Sequence, residues 1–240
     1  MSLLLYCIFG TSARQDLALP MGIGQQPVVV VTRNGLSAAL SELAESDLVP
    51  DISRTLAYGR VVEHFFRSQA IIPMRYGCKF ENASDVVSML VEHQREYQKL
   101  LGDLQGLDEM GIRVLLGKSE GRVRADTSLE PSATALSFDN SGAAYLAAKQ
   151  EHFRGLDQAV LDQHLLVDEL CASLSGLFVR RKVESPDLTI SRLLSLYFLV
   201  PKASVEAFRH AARRLHPKNS VKLLLSGPWP PYNFVDSLDS

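Results

Sequence analysis

The segment Ser226-Gly227-Pro228-Trp229-Pro230-Pro231-Tyr232-Asn233-Phe234-Val235 restricts its own backbone more than any other stretch of this chain. It gathers the only tryptophan, three of the eleven prolines and two further aromatics. Each proline holds φ at about −65° and lacks a backbone donor, which excludes helix and central strand alike. The sequence predicts a short polyproline-like extension leaving the apolar strand Val221–Leu225. A stiff backbone of this kind loses little entropy on docking, and it carries Trp229, Tyr232 and Phe234 as large apolar groups. Two readings stay open. The segment seals the chain's own core, or it presents Trp229, Tyr232 and Phe234 as partner-binding residues.

Upstream, Leu3–Phe9 is a continuous apolar run ended by Gly10, the pattern of a strand covered on both faces. Val28–Thr32 is β-branched and runs into Asn34-Gly35, where both residues tolerate φ > 0. A hairpin returning through Leu36–Leu40 follows. Arg54–Ala70 spaces Tyr58, Val61, Val62, Phe65, Phe66 and Gln69 for one buried helical face, with Asp51 or Ser53 available as cap. Pro73 marks the short Ile71-Ile72 strand as an edge or an irregular strand, not a central one. Ser84–Leu101 reads as one helix capped by Asn82 or Ser84, with Gly102 and Gly106 after it. The expected product is a two-layer α+β domain over residues 1–106.

Past Gly106, Leu107–Gly111 carries turn residues and Ile112–Leu116 is a short strand; Lys118–Asp139 reads as a polar loop. A long helix is expected from about Gly142 to Leu170, striped by Leu146, Phe153, Leu156, Val160, Val167 and Leu170, with Gly155 inside it. Leu177–Glu184 and Ile190–Val200 read as strands, Ser204–Leu215 as a helix capped by Ser204, and Val221–Leu225 as the last strand. The order strand, helix, strand, strand, helix, strand is βαββαβ. It predicts a ferredoxin-like antiparallel sheet with two helices on one face for residues 107–226, followed by the tail 227–240.

At 240 residues the chain accommodates two such domains. A net charge of −2 gives no global attraction to nucleic acid or anionic membrane, and the strands lack paired exposed aromatics for base stacking. Arg180, Arg181 and Lys182 therefore read as a solvated face. Cys7, Cys78 and Cys171 are widely spaced and odd in number, as in a reduced cytosolic protein without a zinc site. Met1–Phe9 lacks the flanks of a signal peptide, and no apolar run approaches the ~18 residues of a spanning helix, so no membrane is expected. No phosphate-binding loop, nucleophile elbow, Cys-x-x-Cys or His-Glu-x-x-His motif is present. His64 and His93 have no second ligand at helical spacing, and His152 and His164 sit about 120° apart around one helix. No catalytic, cofactor-binding or metal-ligating residue is assigned.

Several blocks carry a resemblance. Gly227-Pro228-Trp229-Pro230-Pro231-Tyr232-Asn233-Phe234-Val235 resembles the C-terminal signature of the GvpF/GvpL gas vesicle protein family. Leu5–Phe9 is similar to its opening strand, Gly35–Glu42 to its segment after the hairpin, Ile72-Pro73-Met74-Arg75-Tyr76-Gly77 to its Leu-Pro-x-Arg-Phe-Gly block, and Ser141–Leu146 to the start of its long helix. Tyr76 and Cys78 depart from the usual phenylalanine and threonine. The resemblance implies a non-enzymatic, two-domain α+β gas vesicle accessory protein, cytoplasmic during assembly. Its expected partners are the hydrophobic shell protein and other accessory proteins, met through the aromatic tail or an open sheet edge. The competing reading is a small-ligand regulatory or enzymatic ferredoxin-like protein, which calls for a closed apolar pocket with convergent polar groups.

Overall fold

A computed structural model describes residues 2–11, 19–44, 49, 51–116, 149–150, 160–186, 192–215 and 222–235. Strand β1 (Ser2–Gly10) lies at the centre of the first sheet. The hairpin β2 (Val29–Arg33) and β3 (Leu36–Leu43) pairs with it on one side, and β4 (Ile71–Pro73) and β5 (Lys79–Phe80) on the other. Asn34 and Gly35 take φ of 51° and 80°, which closes the two-residue turn expected from their sequence. Pro73 sits on the outermost strand of that side, where its missing donor breaks no ladder.

The register of β1 against β3 slips between Leu5 and Cys7. That bulge puts Tyr6 and Cys7 on the same face and reverses the alternation beyond them. Leu4, Tyr6, Cys7 and Phe9 meet helix α1 (Ile52–Phe66), whereas Leu5 and Ile8 meet α2 (Ala83–Glu92) and α3 (Gln94–Asp103). Helices therefore cover both faces, and the expected two-layer arrangement is corrected to three layers. An all-apolar β1 has no face to leave in water. On the α1 side, Phe9 stacks on Phe65 at 4.8 Å and Tyr6 lies 5.1 Å from Tyr58.

Side-chain caps fix the starts of α1 and α2. Asp51 accepts from Arg54 N at 2.7 Å and Asn82 from Asp85 N at 3.0 Å. The single helix expected over Ser84–Leu101 is instead two, because His93 leaves helical geometry (φ −98°, ψ 17°). The break lets Gln94 and Gln98 reach the hairpin turn: Asn34 Nδ2 donates to Gln94 Oε1 at 3.1 Å, and both glutamine amides donate to the Asn34 carbonyl at 3.4 Å.

The second sheet has the order β7-β8-β6-β9, with every neighbour antiparallel: β6 (Leu107–Leu115), β7 (Arg180–Glu184), β8 (Leu193–Pro201) and β9 (Lys222–Trp229). Met110, Ile112, Val114, Leu194, Leu196, Phe198 and Val200 point to one face. There they bury Val167 and Leu170 of α4 (residues 160–173) and Phe208 and Ala212 of α5 (Val205–Arg213). Leu107–Gly111, expected as a turn, is strand. Its polar residues Asp108 and Glu109 are buried between two partner strands, a placement that local polarity cannot reveal. Ser204 makes no side-chain cap; a 3-10 turn over Lys202–Ser204 leads into α5 instead. The loop Lys118–Asp139, His152, and the stripe residues Leu146, Phe153 and Leu156 lie outside the described residues.

A third cluster joins the two sheets. Leu199 of β8 and Phe234 pack with Leu5, Ile72, Leu100 and Leu104. Lys202 spans the same seam, its ammonium 5.1 Å above the Phe66 ring and 3.8 Å from Asp108 Oδ1.

Candidate functional site

The proline-aromatic segment is not the polyproline extension its composition predicts. Strand β9 continues through Gly227 and Pro228 to Trp229, and a 3-10 turn over Tyr232–Phe234 follows. An edge position makes this possible, because Pro228 needs no donor on the open side. Gly227 has φ 106°, and a Cβ on it would come within 2.7 Å of the Glu109 carbonyl oxygen. Glycine is required there by both conformation and space.

The three aromatics part company. Phe234 is 6% exposed within the junction cluster, with the Arg180 guanidinium 5.6 Å from its ring centroid. Tyr232 packs against the α1-side core beside Tyr58 and Cys7, and burial pushes its hydroxyl pKa up. Pro230 and Pro231 are buried as well. Trp229 alone is open, at 53%. Asn233 locks this arrangement onto β6: its backbone N donates to Glu109 Oε2 at 2.8 Å and its Nδ2 to Glu109 Oε1 at 2.6 Å. Burial raises the Glu109 pKa, while the Asn233 bonds and the Lys182 charge oppose the rise and Glu184 adds to it. Arg209 Nη2 also donates to the Gly227 carbonyl at 2.8 Å.

Trp229 pairs with Glu109 in register and so shares the sheet face opposite α4 and α5. The same parity gives that face Leu115, Leu193 and Leu224, each 42–61% exposed. Leu115 is directly opposite Leu193 and diagonal to Leu224, so the three form one apolar strip across β8, β6 and β9. The sequence places all three within strands. Only the sheet order says which face stays open.

A second feature is a cleft of about 500 Å³ between α3 and β7, floored by Leu100, Asn233 and Phe234. Its walls carry Lys99, Arg180, Arg181 and Lys182 against Glu96 and Asp103. Among the described residues the histidines do not converge: His64 sits edge-on to Phe65, His93 lies 3.3 Å from Glu96, and His164 is exposed. Among the described residues no group of three metal-ligating side chains forms, and no disulfide joins Cys7, Cys78 and Cys171. No helix among them is long and apolar enough to cross a membrane.

Against known proteins, the match runs the length of the chain. Gas vesicle protein F of Streptomyces sp. is 27% identical over 95% of this chain and 98% of its own length. Gas vesicle protein F of Haloferax mediterranei is 22% identical over 95% and 92%. In fold, the chain is similar to the crystal structure of GvpF from Microcystis aeruginosa, with TM-score 0.70 at 14% identity, covering 98% of each chain. Its likeness to GvpF from Anabaena sp. has TM-score 0.69 at 17% identity, over 98% of this chain and 95% of that one. The gas vesicle synthesis protein GvpL/GvpF family matches residues 2–236, and this chain belongs to that family.

Proposed function

We propose that the protein is a non-enzymatic gas vesicle accessory protein that binds the hydrophobic shell subunit and aids vesicle assembly. It would act in the cytoplasm during assembly and associate with the vesicle. The observation that carries this reading is the open apolar strip Leu115–Leu193–Leu224, with Trp229 on the same sheet face. A contiguous exposed apolar face rimmed by polar residues is how a soluble domain shields another protein's apolar surface. The tail contributes through Trp229 at the surface, with Tyr232 and Phe234 anchoring it from within. The charged cleft is open to solvent, unlike the closed apolar pocket that a small-ligand enzyme would use.

Co-purification with the shell subunit, co-expressed without other vesicle genes, tests the proposal. Burying the exposed half of a leucine or tryptophan contributes about 1 kcal/mol. Combining Leu115→Ser, Leu224→Ser and Trp229→Ala therefore removes ~3 kcal/mol, a loss on the order of a hundredfold in affinity. Undiminished binding by a folded triple variant would remove this face from the interface. No binding by the natural chain would defeat the shell-subunit reading itself and direct the search to other accessory proteins.

A further inference from the structure

The two outer strands of the second sheet differ in how their edges are guarded. β7 carries Arg180, Arg181 and Lys182, a run of charge that opposes pairing with a further strand. β9 carries Leu223-Leu224-Leu225-Ser226 between Lys222 and Gly227-Pro228, with neither charge nor proline inside that stretch. The ladders tell which of its backbone groups face outward. β6 pairs with β8 without a slip, and just beyond its ends Lys202 N donates to the Gly106 carbonyl and Leu116 N to the Arg192 carbonyl, both at 2.9 Å. Even-numbered positions of β6 therefore bond β8. In a central antiparallel strand alternate residues bond opposite neighbours, so Gly111, Arg113 and Leu115 bond Ser226, Leu224 and Lys222. That leaves the N–H and C=O groups of Leu223 and Leu225 on the open edge, and nothing among the described residues bonds them. The next outward carbonyl, of Gly227, accepts from Arg209 at 2.8 Å, which ends the free stretch.

This edge matches a second copy of itself. Antiparallel pairing about a two-fold axis brings outward residues together, so Leu223 meets Leu225 of the second copy and the axis passes beside Leu224. Leu224, 61% exposed, then faces its own copy as a non-hydrogen-bonded pair, the spacing at which side chains lie closer. Lys222 faces Ser226 of the second copy, so no like charges oppose each other in the ladder. One pair of groups works against the contact. α5 borders β9, and the exposed Arg213 lies one turn beyond Arg209 on that side, so two Arg213 side chains approach across the axis. Salt screens that repulsion. A ladder of about four residues falls below the ~1,200 Å² of a standard stable interface, which makes the pairing weak and dependent on concentration.

We propose that β9 pairs antiparallel with β9 of a second copy, centred on Leu224, and joins the two four-stranded sheets into one. The Leu115–Leu193–Leu224 strip of each copy then meets the other at Leu224, giving one apolar band of twice the length on the open sheet face. The use of that band for shell-subunit binding rests on the function proposed above; the pairing itself does not.

Sedimentation velocity of the full chain, from about 10 μM to 1 mM, measures the pairing. The natural chain is expected to shift from monomer to dimer across that range, and more completely at high salt than at low. Leu224→Lys puts like charges on the axis and should weaken the dimer by on the order of tenfold or more, with circular dichroism unchanged. A fluorescently labelled Leu224→Lys chain should regain pairing when Leu224→Glu chain is added in excess, because only a ladder centred on this residue sets the two side chains against each other. Leu193→Ser, at the far end of the strip, should weaken shell-subunit binding and leave the dimer intact, so the two readings fail separately. Each of three results would overturn the inference. A natural chain that stays monomeric throughout would leave the edge to a strand of another protein. Absence of rescue by the Glu chain would move the axis away from Leu224. A dimer lost with Leu193→Ser would mean that the strips meet face to face instead of edge to edge.

Discussion

Replacing Phe234 by alanine tests whether the aromatic tail is part of the folded core. The ring is 6% exposed and packs with Leu5, Ile72, Leu100, Leu104 and Leu199, which come from both sheets and from α3 and its C-terminal turn. Truncating a buried phenylalanine costs ~3–5 kcal/mol through lost transfer energy and the cavity left behind. The site also borders the cleft, so water can reach part of the vacated space and favours the lower half of that range. Loss of the Arg180 contact at 5.6 Å adds about 0.5–1 kcal/mol. A total near ~4 kcal/mol corresponds to a fall in Tm on the order of 10 °C for a chain of this size. Urea unfolding read by far-ultraviolet circular dichroism measures the loss, and Trp229, the only tryptophan, reports the tail directly. The two probes should give coincident transitions in the natural chain if the tail unfolds with the rest. Trp229→Ala, at an open position, should cost under about 1 kcal/mol. A loss below ~1 kcal/mol for Phe234→Ala, or a tryptophan transition well ahead of the dichroism, would refute the docked tail.

Two further outcomes follow from the same junction. Gly227→Ala should destabilise by roughly 1–3 kcal/mol, since φ 106° is disfavoured for alanine and its Cβ would press on the Glu109 backbone; Gly111→Ala should cost less, because the atom it meets is the Ser226 hydroxyl, which can rotate. Neutral Gly227→Ala by thermal unfolding would contradict the observed backbone. Glu109 has a folded pKa raised by burial, so its contribution to stability is fully present below the unfolded pKa of about 4.5 and declines as pH rises through the folded value. Glu109→Gln removes that decline but turns an amide donor toward a donor of Asn233, at a cost of about 1–3 kcal/mol. The stability gap between the natural chain and the variant should therefore narrow as pH rises across that range. A gap that widens instead would mean the two Asn233 bonds outweigh burial.

Much of the local structure was legible because its causes are local. Asn34-Gly35 tolerates positive φ at both positions, so the hairpin follows from two residues. Asp51 and Asn82 carry cap side chains at the right offset, and the stripe Tyr58, Val61, Val62, Phe65, Phe66 repeats at helical period. Prolines 73 and 228 forbid central strands, and both do lie in edge strands. The blocks spread along the chain were enough to mark the family, because each reflects a short segment with its own chemistry.

The misread parts depend on residues far apart. The break at His93 leaves the apolar period from Val86 to Leu100 undisturbed; what it permits is a set of bonds from Gln94 and Gln98 to Asn34, 60 residues and more away. Leu107–Gly111 looks like a turn because Asp and Glu are costly to bury, and Glu109 becomes tolerable only through Asn233, 124 residues later. Composition treated Trp229, Tyr232 and Phe234 alike, either sealing the core or facing a partner, whereas the bend at Pro230 and Pro231 buries Phe234, half-buries Tyr232 and leaves Trp229 open.

Sequence by itself determined the Asn34-Gly35 turn, the position of most helices and strands, and that β1 must be covered on both sides. Dihedral preference, capping and apolar period all act within a few residues, so they are written into each segment. Tertiary structure alone decided which sheet face stays open along Leu115, Leu193 and Leu224, which edge strand lines a cleft, and which carboxylate holds the tail. Those outcomes follow from the order in which strands pair and from the partner each buried polar group finds, and neither is a property of any one segment.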